Sequence, residues 1–336
     1  MTTLEHLDEL TLPAPQTGTP LQRLGVTAQF AVPDGHRPQA RRAALGIVLD
    51  AYSIAPDGFR RWMTTDDDRP RSIPASSPEA FATAVEVEFA PVVDRPDALM
   101  SLAVFPDETP PRWQASATVL ARDPRRAWLS TVVVSVPPSA ALCDPGAYVG
   151  RVRDWAARLR PQYGTAGFAL VDELGMAHHR SGAAWPWLQR YPGLDVEPFS
   201  LQPKPGRLVT VNWLTVLGDD VLDTLGGLRT VRERLDDAAR ARSVPPPQLV
   251  PYDGGALVQS ARLPELGDRT TGDIPASLRA VNAAVRPARF DDHPEYPSVH
   301  LLDAPRRLDR RQATLEWCRR FDDDDETPDD AAPESA

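Results

Sequence analysis

Lysine is almost missing from this chain. Of the 37 basic residues among its 336, one is a lysine, Lys204, held in the loop LQPKPG. A P-loop, a Schiff-base lysine, a protein kinase site or a lysine-dependent nuclease site each needs a lysine in a defined local setting, and a loop lysine between prolines supplies none of them. Cysteine is scarce too: Cys143 and Cys318 stand far apart and match no CxxC-type spacing. That argues against a disulfide framework and a structural zinc site, and both thiols are expected to be reduced and buried. No serine sits in GxSxG, and no GxGxxG follows a strand pattern. Long apolar runs are absent as well, since no stretch approaches the roughly 18 uncharged apolar residues of a membrane span. The amino end, MTTLEHLDELTLPAPQTGTP, is acidic where a signal peptide needs an apolar core, so a cytoplasmic location is expected. The six histidines are His6, His36, His178, His179, His293 and His300. The adjacent pair would point in different directions on any regular element and lacks ligand spacing, so it reads as surface loop.

What the chain does have is acid, unevenly placed. The formal net charge is -10, yet the last sixteen residues, FDDDDETPDDAAPESA, carry eight acids and no base, leaving -2 for the rest. Residues 321–336 are therefore expected to form a disordered acidic tail, and residues 1–22, polar and rich in proline, a flexible arm. Between them, 42% hydrophobic content is enough for one α+β domain over residues 23–320.

Periodicity organises that domain. VTAQFAV, from Val26 to Val32, alternates as a half-buried strand, and a helix carrying Leu45, Val48, Leu49 and Tyr52 on one stripe follows Pro38. VEVEF, from Val85 to Phe89, alternates even more cleanly and reads as a strand with Glu86 and Glu88 on its wet face. ALMSLAVF, WQASATVLA and WLSTVVVSV read as three more strands, joined by links too short for parallel crossovers. Asp144 and Pro145 open a helix with Tyr148, Val152, Trp155 and Leu159 in register, and GTAGFALV returns to strand. AAWPWLQRYPGLD suggests a short helix and a turn, and a helix broken at Gly226 and Gly227 occupies the stretch after residue 220. LVPYDGGALVQ is a hairpin turning at Asp253 and Gly254; helices follow Asp273 and cover 308–320. Runs of strands broken by single helices favour α+β, with a largely antiparallel mixed sheet and packed helices.

Three acidic pairs could hold a cation or share a proton: Asp172 with Glu173, Asp219 with Asp220, and Asp291 with Asp292. Each also has a structural reading. Asp172 and Glu173 end a strand, and Asp219 or Asp220 stands where a helix N-cap belongs. In RLVTVNWLTVLG both faces are largely apolar, which fits a central strand with Trp213 in the core and Asn212 in need of a buried partner.

Several phrases together resemble one family: RYPGLDVEPF (190–199), VNWLTVLG (211–218), LGG (225–227), PELGD (264–268) and RPARF (286–290). Tyr191, Pro192, Gly193, Asn212, Trp213, Leu214, Gly226, Gly227 and Gly267 carry the likeness, which spans about residues 25–290. It is a resemblance to the type VI secretion immunity family associated with VRR-Nuc effectors. The resemblance implies a non-enzyme without cofactor or metal, which neutralises a cognate nuclease toxin of the PD-(D/E)xK or VRR-Nuc type by covering its active-site or DNA-binding cleft. It implies no direct contact with nucleic acid or membrane. Acidic patches suit a cleft built to hold phosphates, and the candidates are Asp172, Glu173, Asp195, Asp219, Asp220 and Asp268. The competing readings are a metal-dependent hydrolase using the acidic pairs and a structural component of the secretion machinery.

Overall fold

Alternation of apolar with small polar residues builds one antiparallel sheet, and helices with apolar stripes close over it. The computed structural model describes residues 4–13, 17–73, 77–123, 128–173, 177–196, 204–291 and 309–323, the side chains of 177–183 and 310 excepted. Helix α1 (Leu4–Asp8) and strand β1 (Thr11–Pro13) lead into β2 (Pro20–Val32), α2 (Pro38–Ile54), β3 (Arg61–Thr64), β4 (Arg71–Ser72) and α3 (Pro78–Phe89). Next come β5 (Met100–Phe105), β6 (Gln114–Val119), β7 (Ser130–Val136), α4 (Pro138–Leu142), α5 (Pro145–Leu159), β8 (Tyr163–Asp172) and α6 (Ala177–Arg190). The last third adds β9 (Leu214–Gly218), α7 (Asp219–Thr224), α8 (Gly227–Ala241), β10 (Gln248–Tyr252), β11 (Gly255–Gln259), α9 (Ala276–Val285) and α10 (Arg310–Cys318).

The strand order is β10-β11-β9-β8-β2-β7-β6-β5-β3-β4, with β1 beside the start of β2. The α+β class and the β5–β6–β7 meander are as the sequence indicates. Directly opposed residues share a face. Ala28 lies between Val134 and Ala166, and Phe30 between Val132 and Gly164, so Val26, Ala28, Phe30 and Val32 form one apolar face. Helix α2 covers that face, with α3 and α5 packed against it. The opposite face is small and polar at its centre, where Thr27 and Ser135 hydroxyls meet at 2.9 Å and Gln29 donates to Thr165.

VEVEF is not a strand; it is the end of α3. Ser77 caps the helix by accepting from the Ala80 amide at 3.2 Å, Pro78 occupies the first turn, and Phe81, Val85 and Phe89 are buried on one stripe. Val87, which a strand would have buried beside Val85, is 70% exposed. Ser77→Ala is expected to cost about 1 kcal/mol of stability in urea unfolding, the value of a lost side-chain cap.

Both ends are tied more closely than composition suggests. In the expected arm, Leu12 is buried, and Asp8 accepts from the Ser139 amide and hydroxyl at the start of α4. At the other end Phe321 is fully buried, and Asp322 and Asp323 are ion-paired. The remainder of the expected tail, residues 324–336, lies outside the described residues, as do Asp292, His293 and His300 and the side chains of His178 and His179. Cys318 is buried as expected, but Cys143 is exposed.

The strand in RLVTVNWLTVLG is shorter than its pattern. Hydrogen-bonded pairing begins at Leu214. Just before it, Asn212 Oδ1 accepts from the Trp213 amide at 2.7 Å, and Thr215 Oγ1 donates to the Asn212 carbonyl at 3.1 Å. These local side-chain bonds compete with the ladder and hold the chain in a turn. From Leu214 on, β9 is buried on both faces between β8 and β11. Trp213 fills the core beneath it, stacked on Tyr148 of α5 at 5.9 Å. The break at Gly226 and Gly227 is also confirmed: both adopt positive φ, 87° and 86°, a conformation that glycine reaches without strain.

Candidate partner-binding site

Two of the six candidate acids are consumed by the fold. Asp195, 2% exposed, takes the place beside β8 that β9 has left, its amide donating to the Phe168 carbonyl at 2.8 Å. Its Oδ2 accepts from Gln29 Nε2 at 3.1 Å, Thr165 Oγ1 at 2.9 Å and Asn212 Nδ2 at 3.2 Å, and its Oδ1 from the Val196 amide at 3.0 Å. Asn212 thereby finds the buried partner its position calls for. Gly167 makes room for it: a Cβ there would lie 2.1 Å from Asn212 Oδ1.

The charge of Asp195 is answered by Arg320, just past α10, with a guanidinium nitrogen 4.0 Å away. Arg320 is wholly buried. It donates to the Pro192 carbonyl at 2.7 Å, Thr210 Oγ1 at 2.7 Å and the Trp317 carbonyl at 3.0 Å. Burial pushes its pKa down to about 10, and Asp195 acts in the opposite direction. Asp195 is thus a structural residue. As a partner-contact candidate it is corrected by its burial.

Asp268 is half-buried and doubly engaged. It accepts from Arg190 Nε and NH2 at 3.0 and 2.7 Å, and from the Thr270 amide and hydroxyl at 2.9 and 2.6 Å. Those bonds, Arg190 first and Thr270 next, hold its carboxyl well below the usual carboxylate range. A depressed folded-state pKa stabilises above the ordinary carboxylate value of about 4 and loses that contribution as pH falls below it. Asp268→Asn should therefore lower stability above about pH 5 and flatten the decline between about pH 4 and pH 2, read as urea midpoint against pH. The same contact joins two of the signature phrases. The Gly193 amide donates to the Leu266 carbonyl at 2.8 Å, and a Cβ on Gly193 would lie 1.9 Å from the Glu265 carbonyl oxygen. Tyr191 lies under the Arg190 guanidinium at 4.9 Å, and Gly267 turns the chain with φ 65°.

The other four acids stand at two places. Asp172 ends β8 and accepts from Gln22 Nε2 at 2.7 Å, with Glu173 exposed beyond it. Asp219 and Asp220 are exposed in the first turn of α7, where Gly218 and not an aspartate is the N-cap and no side chain caps the helix. They face the positive end of the helix dipole without a capping bond, which corrects the capping expectation while keeping its electrostatic half. Asp220 lines a cavity of about 550 Å³ together with Trp128, Arg122, His36, Gln162 and Pro205. Among the described residues no group of three or more His, Cys, Asp or Glu is arranged to hold a metal ion, Asp219 and Asp220 included.

Sequence reasoning missed the residues that tie the carboxyl end down. Arg289 pairs with Asp322 at 2.6 Å, and Asn282 donates to it at 2.8 Å; Asp323 meets Arg242 and Arg279. These partners are dozens of residues apart along the chain, and no spacing rule connects them. Trp128 passed unnoticed because its neighbours in the cavity come from five separate segments.

A family model described as TsiV, type VI immunity for VRR-NUC, matches residues 104–321. The match runs from β5 past α10, so the last helix belongs inside the likeness. No curated protein matches. Among solved structures, a Pseudomonas aeruginosa T6SS protein, PA0821, superposes at a TM-score of 0.75 with 20% identity, covering 94% of this chain and 88% of that one. At that identity the likeness shows the fold. No helix is long and apolar enough to cross a membrane among the described residues.

Proposed function

Because the chain belongs to the TsiV family of type VI immunity proteins, we propose that it binds one cognate nuclease effector of the VRR-Nuc class and covers its active-site or DNA-binding cleft. The observation that carries this reading is the family match over residues 104–321, which takes in β6 to β11 and helices α4 to α10. Inhibition in this reading is steric and electrostatic, with no catalytic step. A nuclease cleft is basic because it holds phosphates, and an acidic protein surface competes for the same groups while speeding encounter. Of the six acids, Glu173, Asp219 and Asp220 are exposed and can serve in such a surface. The protein acts where the nuclease would meet chromosomal DNA, in the cytoplasm.

Coexpression tests the reading. The neighbouring upstream reading frame should encode that nuclease, and cells making it should stop growing without the protein and recover with it, with the two chains coeluting on a sizing column. Growth arrest unrelieved by the protein, with no coelution, would remove it.

A further inference from the structure

Strands β8 and β9 pair only from Tyr163 to Ala166, opposite Leu217 to Leu214. Beyond Ala166 the neighbour of β8 is Asp195, whose amide donates to the Phe168 carbonyl at 2.8 Å and whose carbonyl accepts from the Leu170 amide at 3.3 Å. The sheet therefore forks, with residues 192–195 on one side and the turn before β9 on the other. Arg320 fills the fork. Its Nε donates to the Pro192 carbonyl at 2.7 Å, Nη1 to Thr210 Oγ1 at 2.7 Å and the Trp317 carbonyl at 3.0 Å, and Nη2 to the Val211 carbonyl at 3.4 Å, with Asp195 Oδ1 at 4.0 Å as countercharge. Its Cζ lies 4.2 Å from the centre of the Trp317 ring and 4.7 Å from that of Phe321, both buried.

This pattern is specific to one chemical group. Every nitrogen of the guanidinium has its own acceptor, the charge meets a carboxylate, and aromatic rings approach the cation as cation–π partners do. An ammonium directs all its donors from one point and cannot reach acceptors set around a planar fork. The acceptors are also held without help from Arg320. Asp195 Oδ2 is fixed by Gln29, Thr165 and Asn212, and Oδ1 by the Val196 amide. The segment carrying Pro192 is pinned by the Gly193 amide on the Leu266 carbonyl at 2.8 Å and the Leu194 amide on the Tyr191 carbonyl at 3.0 Å. Thr210 and Val211 are buried beside them. A site whose groups are already in place binds without the cost of ordering them.

We propose that the fork is a guanidinium-binding site that takes the Arg320 side chain as its ligand, so that α10 and the residues up to Asp323 are docked on the sheet as a bound ligand is docked. Arg320 is the key, and the ion pairs of Asp322 with Arg289 and of Asp323 with Arg242 and Arg279 hold the segment once the key is seated. The assignment does not depend on the nuclease reading.

Chemical rescue of the full-length Arg320→Ala chain tests this, with ethylguanidinium restoring the atoms lost beyond Cβ. At about 20 mM it should raise the variant's melting temperature by about 2 °C or more, the shift for a chain of this size at about tenfold its Kd. Ethylammonium at the same concentration should raise it by less than about 0.5 °C, and the wild type should gain from neither cation. Arg320→Lys keeps the charge without the planar fork, and should recover less than about half of the melting temperature that Arg320→Ala loses. Where Arg320→Ala is insoluble, its soluble yield on refolding from urea reads the same site: about threefold or more with ethylguanidinium, unchanged with ethylammonium. A rise or yield no larger with ethylguanidinium than with ethylammonium would overturn the assignment, and so would full recovery by Arg320→Lys.

Discussion

Replacing Arg320 with alanine is expected to lower the free energy of unfolding by about 3–5 kcal/mol, the cost of leaving a buried charge without its partner. Asp195 would keep its hydrogen bonds from Gln29, Thr165, Asn212 and Val196, but lose the one cation that pairs with it among the described residues. The Pro192 carbonyl and Thr210 hydroxyl would lose their donor as well. Arg320 lies two residues past the end of α10, so the change also weakens the attachment of that helix to the sheet. Pairing Arg320→Met with Asp195→Asn should recover part of the loss, because the second change removes the stranded charge. Urea unfolding followed by circular dichroism reads both. A single-variant loss below about 1 kcal/mol would show that the pair is not the buried keystone described here.

Trp213→Ala should cost about 3–5 kcal/mol, the range for emptying a large aromatic site in a core. The indole is fully buried, stacks on Tyr148 with planes 6° apart, and donates from Nε1 to the Ala261 carbonyl at 2.8 Å. Truncation leaves a cavity and removes one of two donors to the Ala261 carbonyl, the other being Gln259 Nε2 at 3.0 Å. Trp213→Phe keeps a ring against Tyr148 and loses the hydrogen bond, so its cost should fall between wild type and alanine. Equal losses for phenylalanine and alanine would place the value of Trp213 in its hydrogen bond and not in packing.

Much of this fold is legible in the residues, and the misreadings have physical causes. β2, the β5–β7 meander and the Asp253–Gly254 hairpin follow from alternation and turn chemistry because each is a local signal. VEVEF defeats that rule: Val85, Val87 and Phe89 fit a period of two, while Phe81, Val85 and Phe89 fit a helix equally well. Five residues cannot separate the two, and the deciding signal lay upstream in Ser77 and Pro78. The acidic end misleads by averaging. Its sixteen residues are polar as a set, but Phe321, Asp322 and Asp323 are held by a core and by arginines at positions 242, 279 and 289. Asp195 looked like surface charge for the same reason, since its partners come from β2, β8, the turn before β9 and Arg320 beyond α10. The family phrases mark those contacts from the outside: RYPGLD touches PELGD through Gly193 and Arg190, and touches VNW through Asp195. They identify the frame, and of the candidate acids Glu173, Asp219 and Asp220 are the ones it leaves exposed.

The most direct test of neutralisation by binding is to titrate the purified protein into the cognate nuclease while it cleaves plasmid DNA. Occlusion of the cleft predicts that cleavage falls linearly to zero at one protein per nuclease and returns when excess DNA competes at low protein. Cleavage that continues unchanged at a tenfold excess of protein would contradict it.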